Sequence, residues 1–157
     1  MGGSMKIRNV VSEDFFLLRE VVNEWTFGGA VQQLVPRFYF EHFQSTSFIV
    51  NTPNDTAGIV ISFVSQSNPK QLYIHFISVN PDFRKQGVGR LLYSYVFKAA
   101  KAHGCEMVSC VTKPINRASI AFHEALGFQS AKIENYYGEG EHRIVFKRSL
   151  LENQISR

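Results

Sequence analysis

Cysteine is scarce in this sequence. Its two thiols, Cys105 and Cys110, lie on either side of the start of a strand-like run, and neither a CxxC pair nor a Cys/His spacing suited to zinc occurs. That argues against a disulfide scaffold and a thiolate metal centre, so a reduced protein without a metal is expected. Long apolar runs are also missing. No stretch approaches the ~20 residues of a membrane span, and no secretory apolar core precedes the domain, so no membrane partner and a cytoplasmic location are expected. Lysine and arginine form no long run either. A net charge of +4, from 17 basic and 13 acidic residues, is dispersed over 157 positions, which weighs against a nucleic-acid partner.

What is present fits a folded domain. Hydrophobic residues make up 45% and charged residues 19%, outside the range of disorder. The 14 phenylalanines interleave with aliphatic residues, as core positions do, rather than forming a stacking face for bases. No internal repeat or low-complexity block divides the chain. We expect one domain over residues 5–150, a cloning remnant at 1–4 (Met1-Gly2-Gly3-Ser4 before Met5), and a tail at 151–157.

The most informative stretch runs from Leu72 to His103. Leu72 to Val79 (LYIHFISV) is rich in β-branched and aromatic residues and is bounded by Asn68, Pro69, Asn80 and Pro81, which predicts a strand. After the turn RKQGVG (Arg84 to Gly89), Leu91, Leu92, Tyr95, Val96 and Ala99 recur at helical spacing, which predicts a helix ending near His103. A helix that begins inside a glycine-containing turn offers unpaired N–H groups and about half a positive charge, so it can hold a phosphate. Gly87 and Gly89 clear side chains from those amides, and Arg84, Lys85 and Arg90 add positive charge around them. The string GxxxxGK[ST] of a nucleotide-triphosphate loop is absent, and Leu92 stands where a dinucleotide fingerprint needs a third glycine. Taken alone, a glycine pair with solvated basic residues also fits this turn.

Flanking segments read as strands and helices in alternation. Strands are predicted at Lys6 to Val10, Phe48 to Val50, Ala57 to Val64, Glu106 to Thr112, Gln129 to Glu134 and His142 to Arg148. Helices are predicted from Ser12 to just before Trp25, from Gln32 to Phe43, and from Ala118 to Leu126, where Gly127 ends the last.

RxxGxG between a strand and a helix, followed by Asn116 to Phe128 (NRASIAFHEALGF), resembles the GNAT superfamily of N-acetyltransferases, with its [QR]xxGx[GA] loop and N-x-x-[AS]-x-x-[FL]-[YF]-E-x-[LM]-G-F segment. The resemblance implies an α/β GNAT fold: a single mixed central sheet of about six to seven strands flanked by about four helices. It implies acetyl-coenzyme A as co-substrate and direct transfer of its acetyl group to a primary amine. The loop Arg84, Lys85, Gln86, Gly87, Val88, Gly89 and Arg90 would grip the pyrophosphate. The central strand would offer the backbone N–H of Ile77 to the thioester oxygen, with Ser78 and Val79 adjacent to the coenzyme. Asn116 and Ser119 would contact the pantetheine, although Asn116 also reads as a helix N-cap. Homodimers are common among small members.

The chemistry needs a neutral amine and an exit for the thiolate. Deprotonating an alkyl ammonium at neutral pH costs on the order of 4–5 kcal/mol. His75 is the leading base, because alternation places it on one face with Tyr73 and Ile77; Glu41 or His42 is an alternative. In the family a tyrosine of the last segment protonates the thiolate. This chain departs there and has His123, so His123 is the expected acid and a coenzyme contact, with Tyr136 and Tyr137 as other phenols. Acceptor-pocket candidates are Trp25, Phe27, Arg37, Phe40, His75 and Tyr136, and a small-molecule amine is expected. A catalytically weak acyl-CoA sensor and an acetyltransferase for protein N-termini or lysines remain alternatives.

Overall fold

The computed structural model describes residues 4–25 and 36–151. Among them, seven strands form one mixed sheet in the order β1-β2-β3-β4-β5-β7-β6, accompanied by four α-helices. No helix among the described residues is long and apolar enough to cross a membrane. Two compact units interleave along the chain, Met1–Phe63 with Ile74–Ala99 and Val64–Tyr73 with Ala100–Arg157.

In the first unit, β1 (Lys6–Asn9), β2 (Phe48–Asn51) and β3 (Thr56–Val64) run antiparallel, with Ile7 opposite Val50 and Phe48 opposite Val60. Helix α1 (Asp14–Trp25) starts where the Asp14 carboxylate accepts the Val11 N–H at 2.8 Å and two Arg8 guanidinium nitrogens at 2.9 Å. That pair satisfies a helix-start amide and fixes the entry angle from β1. The apolar stripe of α1 and of α2 (Arg37–His42) then closes on the sheet through Val10, Leu18, Trp25, Phe40, Ile49, Ile59, Ile61 and Phe76. Strand and helix ends differ from the expected ones at several places, most by one or two residues, and two of the differences bear on the site. Trp25 belongs to α1 because its side chain is 5% exposed and anchors the last turn in this core. The second helix begins at Arg37, just after Pro36, whose extended ψ of 159° makes it the cap; residues 32–35 of the expected helix, and Phe27, lie outside the described residues.

The second unit holds β5 (Met107–Thr112), α4 (Arg117–Ala125), β6 (Gln129–Ile133) and β7 (Arg143–Ser149). Strand β4 (Gln71–Val79) begins here, and Gln71–Tyr73 pair in parallel with Met107–Ser109. Strand β7 lies antiparallel between β5 and β6, with Cys110 opposite Phe146 and Ala131 opposite Val145. Neither cysteine forms a disulfide among the described residues, and both are buried; burial pushes the Cys105 thiol pKa up.

Candidate active site

Strand β4 carries chain into the site with unbroken alternation. Leu72, Ile74, Phe76 and Ser78 are buried, while Tyr73, His75, Ile77 and Val79 are half-buried on the other face. The His75 ring stacks on Tyr39 of α2 at 4.6 Å between centroids and 21° between planes. Strand β4 ends in a fixed corner. Asn80 donates its backbone N–H to Ala57 O at 2.8 Å and its side-chain amide to Thr56 O at 2.9 Å, and its Oδ1 accepts the Asp82 N–H at 3.0 Å. A single 3-10 turn, Pro81–Phe83, follows.

The chain then reverses through two left-handed residues, Lys85 at φ 64° and Gly87 at φ 84°. For a lysine that conformation costs roughly 1–2 kcal/mol, so surrounding contacts must hold it. Helix α3 (Val88–Ala102) starts immediately, and its first bond runs from the Leu91 N–H to Gly87 O at 2.9 Å. The amides of Val88, Gly89 and Arg90 therefore have no intrahelical acceptor. Among the described residues, a Cβ on Gly87 would meet nothing within 4 Å, so the turn is open on that side. The opposite holds behind them. A Cβ on Gly58 of β3 would sit 2.7 Å from Val88 Cγ1 and 3.1 Å from Ser78 O, so the head of α3 presses directly on the sheet. An open front, free amides and a rigid back suit a diphosphate.

Arg84 takes a different place from the one its charge predicts. Its guanidinium donates to the carbonyls of Val79 and Trp25, tying the end of β4 to the last turn of α1. It braces the turn.

Residues 9–128 match the model of the Acetyltransferase (GNAT) family. This chain belongs to that family. Among similar proteins, the ribosomal protein bS18-alanine N-acetyltransferase of Salmonella typhimurium is 37% identical over 62 residues, 39% of this chain and 42% of that protein. The chain spans less than half the length of the curated relatives it matches first. Two solved structures share the fold. Ard1 from Thermoplasma volcanium has a TM-score of 0.78 at 19% identity, covering 94% of this chain and 98% of that one. The diaminobutyrate acetyltransferase EctA from Paenibacillus lautus, solved with L-2,4-diaminobutyric acid and coenzyme A, has a TM-score of 0.71 at 19% identity, covering 92% and 95%.

The remaining GNAT candidates separate by burial. Trp25 and Phe40 are core residues, 5% and 0% exposed. Arg37 is exposed, 3.2 Å from Glu41 and with its guanidinium 5.1 Å from the centroid of the Phe16 ring. His42 is exposed. Asn116 caps α4: its Oδ1 accepts the Ser119 N–H at 3.2 Å while its amide donates to Thr112 Oγ1 at 3.2 Å. Tyr136 is 43% exposed and meets Tyr137 edge to face. Tyr73, whose position on β4 carries no motif signal, joins these two. Its pKa is pushed well up by burial, then by the neighbouring Tyr137 and Tyr136 phenols and Cys110, with a hydrogen bond to Tyr137.

His123 is 4% exposed, stacked on Phe146 at 4.4 Å and 14°, with Nδ1 2.7 Å from Ser119 O. A hydrogen bond to a carbonyl makes Nδ1 the protonated nitrogen of the neutral ring. Burial lowers the pKa below 6.5, against the opposing pull of the Ser119 carbonyl. An imidazole that resists protonation is a poor proton donor at neutral pH, so the burial and stacking of His123 weigh against the expected acid.

The sign of that shift yields a prediction. Because the folded pKa lies below the unfolded value, the unfolded chain binds the proton more readily as pH falls below 6.5. Stability contributed by neutral His123 is complete above 6.5 and is lost as pH falls toward the folded pKa. Urea unfolding of the His123→Phe variant between about pH 7 and 5 should show a shallower loss than the parent. Equal slopes would assign the acid sensitivity elsewhere.

Proposed function

We propose that this chain is an N-acetyltransferase that carries the acetyl group of acetyl-CoA to a primary amine. The reading rests most on the turn before α3, where left-handed Lys85 and Gly87 lead into a helix whose first amides have no intrahelical acceptor, with no described residue within 4 Å of a Cβ on Gly87. Bound acetyl-CoA supplies an activated thioester. Gly87, Val88, Gly89 and Arg90 hold its diphosphate through backbone N–H groups, with Lys85, Gln86 and the Arg90 side chain around them and Arg84 bracing the turn. Ile77 offers its N–H to the thioester oxygen, beside Ser78 and Val79; one such donor is typically worth about 3–4 kcal/mol in the transition state. His75, half-buried against Tyr39, takes the proton of the incoming ammonium. In the second unit, Asn116 and Ser119 at the start of α4 are the candidate pantetheine contacts. The thiolate leaves without His123, since a free thiol with a pKa near 8.5 is a tolerable leaving group.

A small-molecule acceptor is the primary reading, because a relative by fold, the EctA enzyme, was solved with a diamino acid. A peptide amine is the second, favoured by the 37% identity to an enzyme named for the alanine of a ribosomal protein. Coenzyme thiol release from acetyl-CoA, measured with amino acids, diamines and short peptides, tests both. Release with a small amine is the expected result. Release with peptides alone would overturn the acceptor reading, and tight coenzyme binding without release under any amine would overturn the enzyme reading in favour of a sensor.

A further inference from the structure

An open surface depression lies within the second unit, where β5 and β7 stop pairing. Their ladder ends at Thr112 opposite Ile144, and beyond it the segments 113–115 and 140–143 line a shallow, largely open depression of about 310 Å3. That is the lower end of the size range of small-ligand sites. Its polar lining is mostly cationic or hydrogen-bond donating. Arg143 is held in place: its Nη1 donates to His142 O at 2.7 Å, its Nη2 lies 3.4 Å from Glu141 Oε1, and its guanidinium carbon sits 4.8 Å from the centroid of the Tyr137 ring. The side chain is only 16% exposed, so the fork is pre-oriented. His142 is oriented as well. Its Nδ1 accepts the Asn135 N–H at 3.0 Å, which leaves the proton of the neutral ring on Nε2, a donor. Lys113 adds an exposed ammonium with no ion pair among the described residues. Pro114 and Ile115, the latter 82% exposed, give an apolar wall. The opposing charge is Glu141, 58% exposed and in loose contact with Arg143.

We propose that this depression is an anion site of the second unit, which seats a carboxylate against Arg143, Lys113 and His142 Nε2 beside the aliphatic wall of Pro114 and Ile115. The inference stands on the lining of the depression alone and is independent of the acetyl-transfer reading. Glu141 occupies part of the same fork and competes with the ligand, so its charge sets the affinity.

The test is an NMR titration of 15N-labelled protein with sodium acetate, with inorganic phosphate, and with sodium chloride at matched ionic strength. Acetate should produce saturable shifts at Lys113, Ile115 and Gly140 to Arg143, beyond those from chloride. Lys113→Met should weaken acetate about tenfold, as expected for one charge-assisted contact. Lys113→Arg should restore most of it, and Glu141→Gln should tighten it several-fold. Shifts no larger than with chloride, or unchanged affinity in Lys113→Met, would overturn the proposal. Saturation by phosphate but not acetate would overturn it too and reassign the depression to a phosphoryl group. Coenzyme A added to the same samples reports separately at residues 84–90. Its failure to bind would count against the acetyl-transfer reading while leaving the anion pocket standing.

Discussion

Replacing Gly87 by glutamate is expected to weaken coenzyme A binding by at least about 100-fold, close to 2.7 kcal/mol, in a protein that still folds. Two effects add. A side chain at φ 84° is strained, and relieving that strain turns the following amides away from the open front. The new carboxylate also enters the space that a diphosphate must occupy, and like charges at that distance repel strongly. Gly87 is exposed and an added Cβ touches nothing, so the core is spared. Calorimetric titration with coenzyme A, set beside urea unfolding, separates the two readouts. Unchanged affinity would remove the diphosphate from this turn, and the mechanism with it.

Phe40→Ala should show the reverse pattern, a large loss of stability with little effect on acceptor KM. Phe40 is fully buried in the core of the first unit and meets Phe15 edge to face at 5.9 Å. Truncating such a ring typically costs about 3–5 kcal/mol through lost burial and the cavity left behind. For a chain of this size that lowers Tm by roughly 6–20 °C. If stability held while acceptor KM rose, Phe40 would be a pocket wall, as its place in an aromatic segment first suggested.

That contrast marks where the sequence was informative. Strand β4, its alternation and the helix after Gly89 were legible because period-2 and period-3.6 patterns are local. The RxxGxG turn was legible because its glycines clear side chains from a helix start, and Gly87 does take the left-handed backbone that glycine favours, whereas Lys85, equally left-handed, gives no such signal. Burial depends on partners far along the chain, and there local pattern failed. Trp25 and Phe40 look like a cleft beside Gly28-Gly29, but they share a core with Ile49, Ile59 and Ile61 of β2 and β3 and with Val10, just after β1. His123 takes the place of a reactive phenol in a motif, yet Phe128 and Phe146 enclose it. Arg84 reads as phosphate charge until the carbonyls of Val79 and Trp25 are found to claim its guanidinium. Asn80 carries no motif signal, and only its bonds to Thr56, Ala57 and Asp82 reveal it as the corner post.

Gly58 stands 30 positions upstream of Val88, in a strand with no motif of its own, yet its bare α-carbon sets how closely the helix can seat. Aim is thus governed from beneath. Efforts to retune cofactor choice by editing the basic loop alone would be working on the muzzle while the mount sits in β3, and a single methyl group there would shift the barrel without altering any ligand-facing atom.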